Sequence, residues 1–205
     1  MTKPNLILIG AGGHARACID VIEQHAGFQV AGLVGVEHEL HTKVLGYEVL
    51  ATDAGLAALA GQYPFALVTV GQLASPELRV RMYQAALQAG FTLPSLVSPR
   101  ALVSRHAQIG AGSIVMHGAI VNAGARVGRN CIINTRALVE HDADVDDHCH
   151  ISTGAILNGA VQVGEGSLVG SGCVIKQGVR LGARCVVGMG LSVRHDVAEH
   201  SRFLG

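Results

Sequence analysis

The chain has 205 residues, with 15 basic and 15 acidic side chains and therefore no formal net charge at pH 7. A balanced charge argues against a nucleic-acid or anionic-membrane partner, and no apolar run approaches the roughly 20 residues of a membrane-spanning helix. Tryptophan is absent and 27 residues are glycine, so the core must consist of small aliphatic side chains and the chain must turn often.

Predicted strands and helices alternate over the first hundred residues. They follow one another as strand 5–9, helix 16–25, strand 29–34, strand 65–70 and helix 75–89. This alternation predicts a small, Rossmann-like α/β domain with a parallel sheet over residues 1–98. The first apolar stretch is short and ends in a glycine-rich turn, which disfavours a signal peptide, so we expect a cytoplasmic protein.

The first predicted strand runs into a glycine-rich turn. Gly10, Gly12 and Ala15 fit the pattern G-x-G-x-x-G/A, in which backbone N–H groups and a helix N-terminus can approach a phosphate. A dinucleotide site would also need an acidic side chain near position 35, where this chain has Gly35 and Val36. The motif therefore fits either a phosphate-binding turn or a tight turn without function, and it disfavours NAD.

A period of six residues runs through the second half of the chain. Every sixth position from Val103 to Val193 is Ile, Leu or Val. Neither a helix nor a simple strand has this period. A triangular coil with three short faces and eighteen residues per turn does, and it places these side chains inside. We therefore predict an all-β solenoid of stacked coils over residues 99–205, with hexapeptide repeats.

Two further columns of the repeat hold small residues. Four places after each inward aliphatic residue the side chain is mostly Ala, Ser or Cys, and four of the five cysteines fall there. They are predicted to fill the core rather than to form disulfides or bind metal. Glycines such as Gly110, Gly128 and Gly164 follow the inward residue directly, where we expect a tight corner with unusual backbone angles.

Polar residues concentrate in the segment 134–159. His141 lies two residues after an inward valine and should project outward, and its neighbour one coil later is Gly159, which leaves room for a thioester beside the imidazole. Asp142 could hold the tautomer of His141 and raise its basicity. His150 lies half a coil further, on another side of the circumference, so a groove between subunits of a trimer would be needed to bring both histidines together.

Other histidines offer alternatives. His117 also occupies an outward position and is a weaker candidate for the base. A metal site formed by His141, His148 and His150 is permitted by the spacing, but the odd and even offsets splay these side chains apart. Five other histidines are interpreted as solvated surface residues: His38, His41, His106, His195 and His200.

The order of these motifs resembles a known family. GAGGH, a small α/β domain, and then hexads that contain NT, EHD, CHI and GA are similar to the bacterial hexapeptide-repeat nucleotide-sugar acetyltransferases. These include UDP-4-amino-sugar and GDP-perosamine N-acetyltransferases and relatives that O-acetylate sialic acid. The resemblance covers nearly the whole chain and implies a left-handed parallel β-helix. It also implies a homotrimer with active sites between subunits, acetyl-CoA as cosubstrate and no metal.

The resemblance also assigns roles to individual residues. His141 matches the general base, and Asp142 matches the acidic residue that orients it. The positions that match contacts to acetyl-CoA are His150, Gly159, Ser171 and Met189. The positions that match contacts to the nucleotide sugar are Gly13, His14, Ala15 and Gly71. The implied reaction is acetylation of a nucleotide-linked 4-amino-sugar for surface glycan or glycoprotein assembly.

The sequence departs from the family's pattern at two places. Gly35-Val36 replaces an acidic pair, and the G-V-P-A-K segment near the C-terminus is missing. Three other functions stay open at this point: O-acetylation of a sialic acid or related sugar, a non-catalytic solenoid scaffold, and a β-helical carbonic anhydrase, which would need three zinc-binding histidines.

Overall fold

A computed structural model describes residues 2–73 and 75–204. The chain forms two compact units. One comprises Met1–Gly71 and Glu77–Pro94, and the other comprises Gln72–Pro76 and Ser95–Gly205. Gln72–Pro76 thus belongs to the second unit, although in sequence it lies between the two parts of the first.

The first unit is an α/β sheet with a parallel centre. Its strands are β1 (Asn5–Ile9), β2 (Gln29–Val34), β3 (Lys43–Val44), β4 (Tyr47–Ala51) and β5 (Phe65–Val68). They lie in the order β3-β4-β2-β1-β5, with every pairing parallel except that of β3 with β4. The four residues from Leu6 to Ile9 are fully or almost fully buried, as expected of a central strand covered on both faces. The predicted α/β domain is confirmed, but its sheet is mixed rather than wholly parallel, because the edge strand β3 runs antiparallel to β4.

Three α-helices and two short 3-10 helices complete this unit. They are α1 (Gly13–Gln24), Glu37–Glu39, Asp53–Gly55, α2 (Leu56–Ala60) and α3 (Glu77–Ala89). The sequence analysis did not predict β3, β4 or α2. In the part of the chain that the structure describes, no helix is long and apolar enough to cross a bilayer.

Helix α1 begins three residues earlier than the hydrophobic pattern predicts. Gly12 is its N-cap and contributes no side-chain hydrogen bond, so Gly13 and His14 lie in the first helical turn. Gly10, at the end of β1, has a φ of 118°, and a Cβ there would come within 2.8 Å of the backbone nitrogen of Val70. Glycine is thus required at position 10 by the close packing of β1 against the chain that follows β5.

The second unit is a left-handed parallel β-helix, as predicted. Its strands are β6 (Leu96–Val97), β7 (Leu102–Val103), β8 (Gln108–Ile109), β9 (Ile114–Val115), β10 (Ile120–Val121), β11 (Arg126–Val127), β12 (Ile132–Ile133), β13 (Leu138–Val139), β14 (Asp144–Val145), β15 (His150–Ile151), β16 (Ile156–Leu157), β17 (Gln162–Val163), β18 (Leu168–Val169), β19 (Val174–Ile175), β20 (Arg180–Leu181), β21 (Val186–Val187), β22 (Ser192–Val193) and β23 (Arg202–Phe203). Strands eighteen residues apart pair in parallel register, as Ile120 does with Leu138.

These strands form three sheets, which we call faces 1, 2 and 3. Face 1 contains β7, β10, β13, β16, β19 and β22, and face 2 contains β8, β11, β14, β17 and β20. Face 3 contains β6, β9, β12, β15, β18, β21 and β23. From β7 to β22 the second residue of each strand packs in the core of the coil, which is why the sequence shows a period of six and not two.

The core of the β-helix consists of aliphatic and small side chains. Val121, Val139 and Leu157 are fully buried, one above another, and Ala119 and Ala137 fill the space beside them. All five cysteines are buried and free, so the predicted role of core filler holds. Burial raises the pKa of the Cys149 thiol well above its usual range, which keeps it protonated.

The predicted reason for the glycines after the inward residue was wrong. None of Gly110, Gly128 and Gly164 has a positive φ; instead, a Cβ at Gly164 would lie 2.5 Å from the backbone nitrogen of Ala183 in the next coil. These glycines allow adjacent coils to approach closely. The left-handed backbone conformation occurs at the third residue after the inward one, for example at Asp142, whose φ is 59°.

Candidate active site

His141 lies at the corner where the chain passes from face 1 to face 2. Its Nδ1 donates a hydrogen bond to Oδ2 of Asp142 at 2.9 Å, which leaves Nε2 as the acceptor nitrogen. Asp142 adopts the left-handed conformation that its short polar side chain tolerates, and its backbone nitrogen bonds to the carbonyl of Ala123 in the preceding coil. The turn therefore fixes the carboxylate beside the imidazole.

Neighbouring carboxylates change the proton affinity of His141. The hydrogen bond to Asp142 raises the pKa of His141 above its ordinary value; partial loss of solvent opposes this, and the charges of Asp142 and Glu140 add to it. Glu140 is held in place, since its Oε2 accepts hydrogen bonds from Nδ2 of Asn122 and from the backbone nitrogen of His141. The imidazole is exposed and is a stronger base than a free histidine.

Gly159 keeps the acceptor nitrogen of His141 accessible. The glycine lies one coil further along the same corner, and a Cβ there would come within 2.6 Å of Nε2 and 2.7 Å of Cε1 of His141. Any other residue would therefore push against the imidazole. The structure brings His141, Asp142 and Gly159 together, as the eighteen-residue spacing predicts.

His150 lies elsewhere, on face 3, and both of its ring nitrogens are engaged. Its Nδ1 donates to the carbonyl oxygen of Gln72 at 2.7 Å, and Nδ2 of Asn134 lies 3.0 Å from its Nε2. Only 6% of the residue is exposed. The side chain of Gln72 also reaches the β-helix, with Nε2 donating to the carbonyl of Gly166. His150 thus holds Gln72 in place, and a contact of His150 with a coenzyme stays a prediction.

Ser171 and Met189 lie at a third place, the corner where the chain passes from face 3 to face 1. They occupy successive coils, since Gly190 donates its backbone N–H to the carbonyl of Ser171 at 2.8 Å. Both are exposed, and Met189 exposes 79% of its surface. Within one chain these two residues and His141 are therefore on opposite edges of face 1.

The four predicted nucleotide-sugar positions belong to the first unit and lie together. Gly13, His14 and Ala15 form the first turn of α1, and a Cβ on Gly71, beyond β5, would lie 3.6 Å from the Cβ of His14. A Cβ on Gly12 or Gly13 would meet no atom within 4 Å. The surface beside these two glycines is therefore open, whereas the amide of Ala15 donates to the carbonyl of Gly12 at 3.1 Å.

Glu39 is a residue that the sequence did not single out. Its Oε2 accepts the backbone N–H of Val36 at 3.0 Å, and a Cβ on Gly35 would lie 2.6 Å from that oxygen. A carboxylate thus stands beside the position where the family's acidic pair is missing. A fixed spacing from the glycine-rich turn does not identify Glu39. Its side chain lies at the end of β2 only because the 3-10 helix Glu37–Glu39 turns the chain back toward that strand.

The rival histidines have structural partners. His117 is hydrogen-bonded through Nδ1 to the hydroxyl of Ser98. His148 is buried, and Nδ2 of Asn130 lies 2.9 Å from its Nδ1. Across residues 2–73 and 75–204, no three His, Cys, Asp or Glu side chains are grouped so that they could hold a metal ion.

Two family models match the sequence. The model of the PglD N-terminal domain matches residues 5–85, and the model of the hexapeptide repeat of succinyl-transferase matches residues 160–194. A comparison with curated proteins gives no match.

Solved structures resemble the whole chain. A histidine-to-asparagine mutant of perosamine N-acetyltransferase from Caulobacter crescentus, in complex with CoA and GDP-perosamine, is 32% identical, with a TM-score of 0.92 over 100% of this chain and 95% of that one. The acetyltransferase domain of PglB from Neisseria gonorrhoeae FA1090, in complex with acetyl coenzyme A, is 32% identical, with a TM-score of 0.87 over 96% and 94%. WeeI from Acinetobacter baumannii AYE shares the fold at 19% identity, with a TM-score of 0.85 over 100% and 97%.

Proposed function

Because the chain belongs to the family of hexapeptide-repeat nucleotide-sugar acetyltransferases, we propose that it transfers the acetyl group of acetyl-CoA to the amino group of a nucleotide-linked 4-amino-sugar. The relatives from C. crescentus and N. gonorrhoeae bind CoA with GDP-perosamine and acetyl-CoA, respectively. The observation that carries the proposal is the exposed Nε2 of His141, backed by Asp142 and left open by Gly159.

The proposed chemistry needs one base and no covalent enzyme intermediate. The sugar ammonium first loses one proton to water, its nitrogen then attacks the thioester carbonyl, and the carbon–sulfur bond breaks. The CoA thiolate that leaves takes the proton that His141 has accepted from the attacking nitrogen, so CoA is released as the thiol. His141 accepts a proton from the amine through Nε2, while the Asp142 carboxylate holds the proton on Nδ1 and stabilises the imidazolium that forms. Gly159 leaves the space that a thioester needs beside the imidazole.

The relatives support a role for one histidine in chemistry rather than in binding. In C. crescentus perosamine N-acetyltransferase, mutants with a single histidine replaced by Asn or Ala are both seen in complex with CoA and GDP-perosamine. A general base is expected to behave in this way, since its loss removes proton transfer and leaves the binding surfaces in place.

The acceptor is proposed to bind the first unit through its phosphates. A Cβ on Gly12 or Gly13 would meet no atom within 4 Å, so the diphosphate of a nucleotide sugar has room to lie against the N-terminus of α1, beside His14 and Gly71. The five free cysteines fit a reducing compartment, and we place the reaction in the cytoplasm, where the product would serve surface glycan or glycoprotein assembly.

The chain is also proposed to act as a homotrimer that associates through face 1. The outward residues of this face are apolar in all its strands except β22, which presents Ser192: Leu102, Ile120 and Val174 are 61%, 36% and 37% exposed, and Leu138 and Ile156 are half-buried. By contrast, face 2 presents Gln, Arg and Asp at its outward positions. An apolar stripe of this length favours association with other copies.

The same arrangement explains how a complete site would form. Face 1 is bordered by the His141 corner on one edge and by the corner of Ser171 and Met189 on the other. Three copies that pack their face 1 around a common axis bring the His141 corner of each against the opposite corner of the next. A coenzyme lying in that seam would contact Gly159 of one copy and the Ser171 and Met189 column of another.

Two experiments test these proposals. Purified protein is assayed for release of CoA thiol with UDP- and GDP-linked 4-amino-sugars, with CMP-sialic acid and with free sialic acid, and the product is identified by mass. Amide formation on an amino-sugar supports the proposal; acetylation of sialic acid alone, or no transfer to any acceptor, refutes it.

The second experiment measures mass in solution by light scattering. Wild type is expected as a trimer. Ile156→Lys on face 1 is expected to dissociate it, while Gln162→Lys on face 2 is not, because only the first places a charge in the interface. A wild-type monomer that is fully active would rule out the seam.

A further inference from the structure

Two cations stand in one column of the β-helix without an acidic partner. Lys176 follows β19 and Arg194 follows β22, and the register Ile175↔Val193 places them side by side on successive coils. Both are exposed, and among the described residues neither pairs with a carboxylate. Like charges in adjacent strands repel each other.

Elsewhere the β-helix pairs opposite charges in such positions. Arg129 donates from Nε and Nη2 to Oδ2 of Asp147, its neighbour one coil later. Arg126 is in register with Asp144 on face 2. The pair of Lys176 and Arg194 departs from this pattern, and an anionic ligand would compensate it.

The column leads directly to the proposed catalytic residues. Glu140, Asn158, Lys176 and Arg194 succeed one another at intervals of eighteen residues, one coil each, and His141 lies next to Glu140. With coils about 4.8 Å apart, Lys176 is about 10 Å and Arg194 about 14 Å along the axis from the level of His141.

This separation matches the reach of a coenzyme arm. The pantetheine arm of CoA has roughly a dozen backbone bonds between its sulfur and its first phosphate ester, the length of about four residues, and therefore extends at most about 14 Å. A thioester beside His141 and Gly159 thus puts the diphosphate near Lys176 and Arg194. Beyond them, Arg194 and His195 line a cavity of about 460 Å³ with Ser192, Arg202 and Phe203, room for a nucleoside.

We infer that Lys176 and Arg194 form the subsite that binds the phosphates of acetyl-CoA. The inference rests on the proposed function, and it assigns the coenzyme's charged end to residues for which neither the sequence pattern nor the resemblance gave a role. Because both side chains are exposed, each contributes modestly, and the two act together on the same diphosphate.

The test compares two acetyl donors that differ only in the nucleotide end. The ratio of kcat/KM for acetyl-CoA to kcat/KM for acetyl-pantetheine is measured in wild type, Lys176→Gln, Arg194→Gln and the double variant. Each single change is expected to lower this ratio about 3- to 5-fold and the double change about 10- to 30-fold. The reason is that acetyl-pantetheine carries no phosphate, so only acetyl-CoA loses an interaction when a cation is removed.

Arg180→Gln is the matched control. It removes one positive charge from the same coil as Lys176 but on face 2. Its kinetics therefore measure how far a change of net charge alone alters the ratio of the two donors. Its ratio should stay within 2-fold of wild type. An equal fall in Arg180→Gln, or variants that lose activity equally with both donors, would overturn the assignment.

A binding measurement separates this inference from the proposed function. Calorimetric titration with CoA requires no acceptor and no turnover. Weaker CoA binding in the double variant than in Arg180→Gln supports the subsite even where no acceptor sugar is acetylated. Equal affinities in these two variants overturn the subsite, whatever the transfer assay shows.

Discussion

The two units of this protein use glycine and polar side chains in opposite ways. In the β-helix the sequence repeats and each coil predicts the next. The residues to which we assign a function depart from the repeat: a histidine above a glycine, and two cations in one column. In the α/β unit nothing repeats. There, Gly10, Gly12 and Gly13 serve a single turn, and Glu39 reaches its position through one short 3-10 helix.

The difference shows where a sequence reveals its site. A regular scaffold supplies a background against which exceptions can be recognised, because the register fixes which residues are neighbours. An irregular loop supplies no such background, since its side-chain positions depend on backbone angles that spacing does not determine. The predictions that follow probe exceptions in the regular unit and then one in the irregular unit.

The largest effect is expected at His141. His141→Ala removes the proposed base and should lower kcat by about 10²–10⁴-fold, while CoA affinity stays nearly unchanged. Steady-state kinetics and calorimetry measure the two quantities. His106→Ala, an exposed histidine of another coil, is the control and should retain wild-type turnover. A wild-type kcat in His141→Ala would rule out its role as base.

A methyl group at Gly159 should act almost as strongly, and through the same imidazole. In Gly159→Ala the new Cβ would lie 2.6 Å from the present position of Nε2 of His141. The imidazole ring must therefore turn away, and kcat should fall by about 100-fold. The fold should tolerate the change, since a side chain can move.

Gly164→Ala is the contrasting variant. Its Cβ would lie 2.5 Å from a backbone nitrogen of the next coil, so we expect about 1–3 kcal/mol lower unfolding free energy and an unchanged kcat in the folded protein. Urea denaturation and turnover measurements distinguish the two glycines. If both variants lose stability and keep activity, Gly159 has only a packing role.

A smaller effect is expected when the charge beside His141 is removed. Asp142→Asn preserves the left-handed turn, because Asn tolerates that conformation, but abolishes the carboxylate that raises the pKa of His141. The base works only when neutral, so activity is lost as pH falls through this pKa. The acidic limb of the kcat/KM profile should therefore move to lower pH, and activity at the plateau should fall about 10-fold.

The pH profile of Asp142→Asn also tests whether His141 is the group whose protonation produces the acidic limb. If the acidic limb of Asp142→Asn lies at the same pH as in wild type, the group that controls it is not His141. Glu140→Gln serves as a control, because Glu140 acts on His141 through charge and a backbone contact and should shift the limb less.

The smallest effect concerns the α/β unit. Restoring an acid with Gly35→Asp would place a Cβ 2.6 Å from the Glu39 carboxylate and 3.0 Å from Val49, so the unfolding free energy should fall by about 1–3 kcal/mol. The double variant with Glu39→Ala should recover part of this loss. Equal stability of Gly35→Asp and wild type in urea would show that Glu39 does not occupy this space.

Much of the β-helix and its corner site could be predicted, and less of the α/β unit. The period of six gave the strands, the inward residues and the stacking of Gly159 on His141, because all three follow from one constant register. The start of α1 at Gly13, the strands β3 and β4, and the return of Glu39 were not predictable, since they depend on local turns without a periodic signature.

The sequence by itself determined the family, the two kinds of fold and the neighbours of His141 along the coil. Tertiary structure alone decided why Gly110, Gly128 and Gly164 are glycines, and that both nitrogens of His150 are engaged. The physical reason is distance in sequence: stacking within a repeat is set by a fixed eighteen-residue interval, whereas the contact of His150 with Gln72 joins residues 78 positions apart and exists only once the chain has folded.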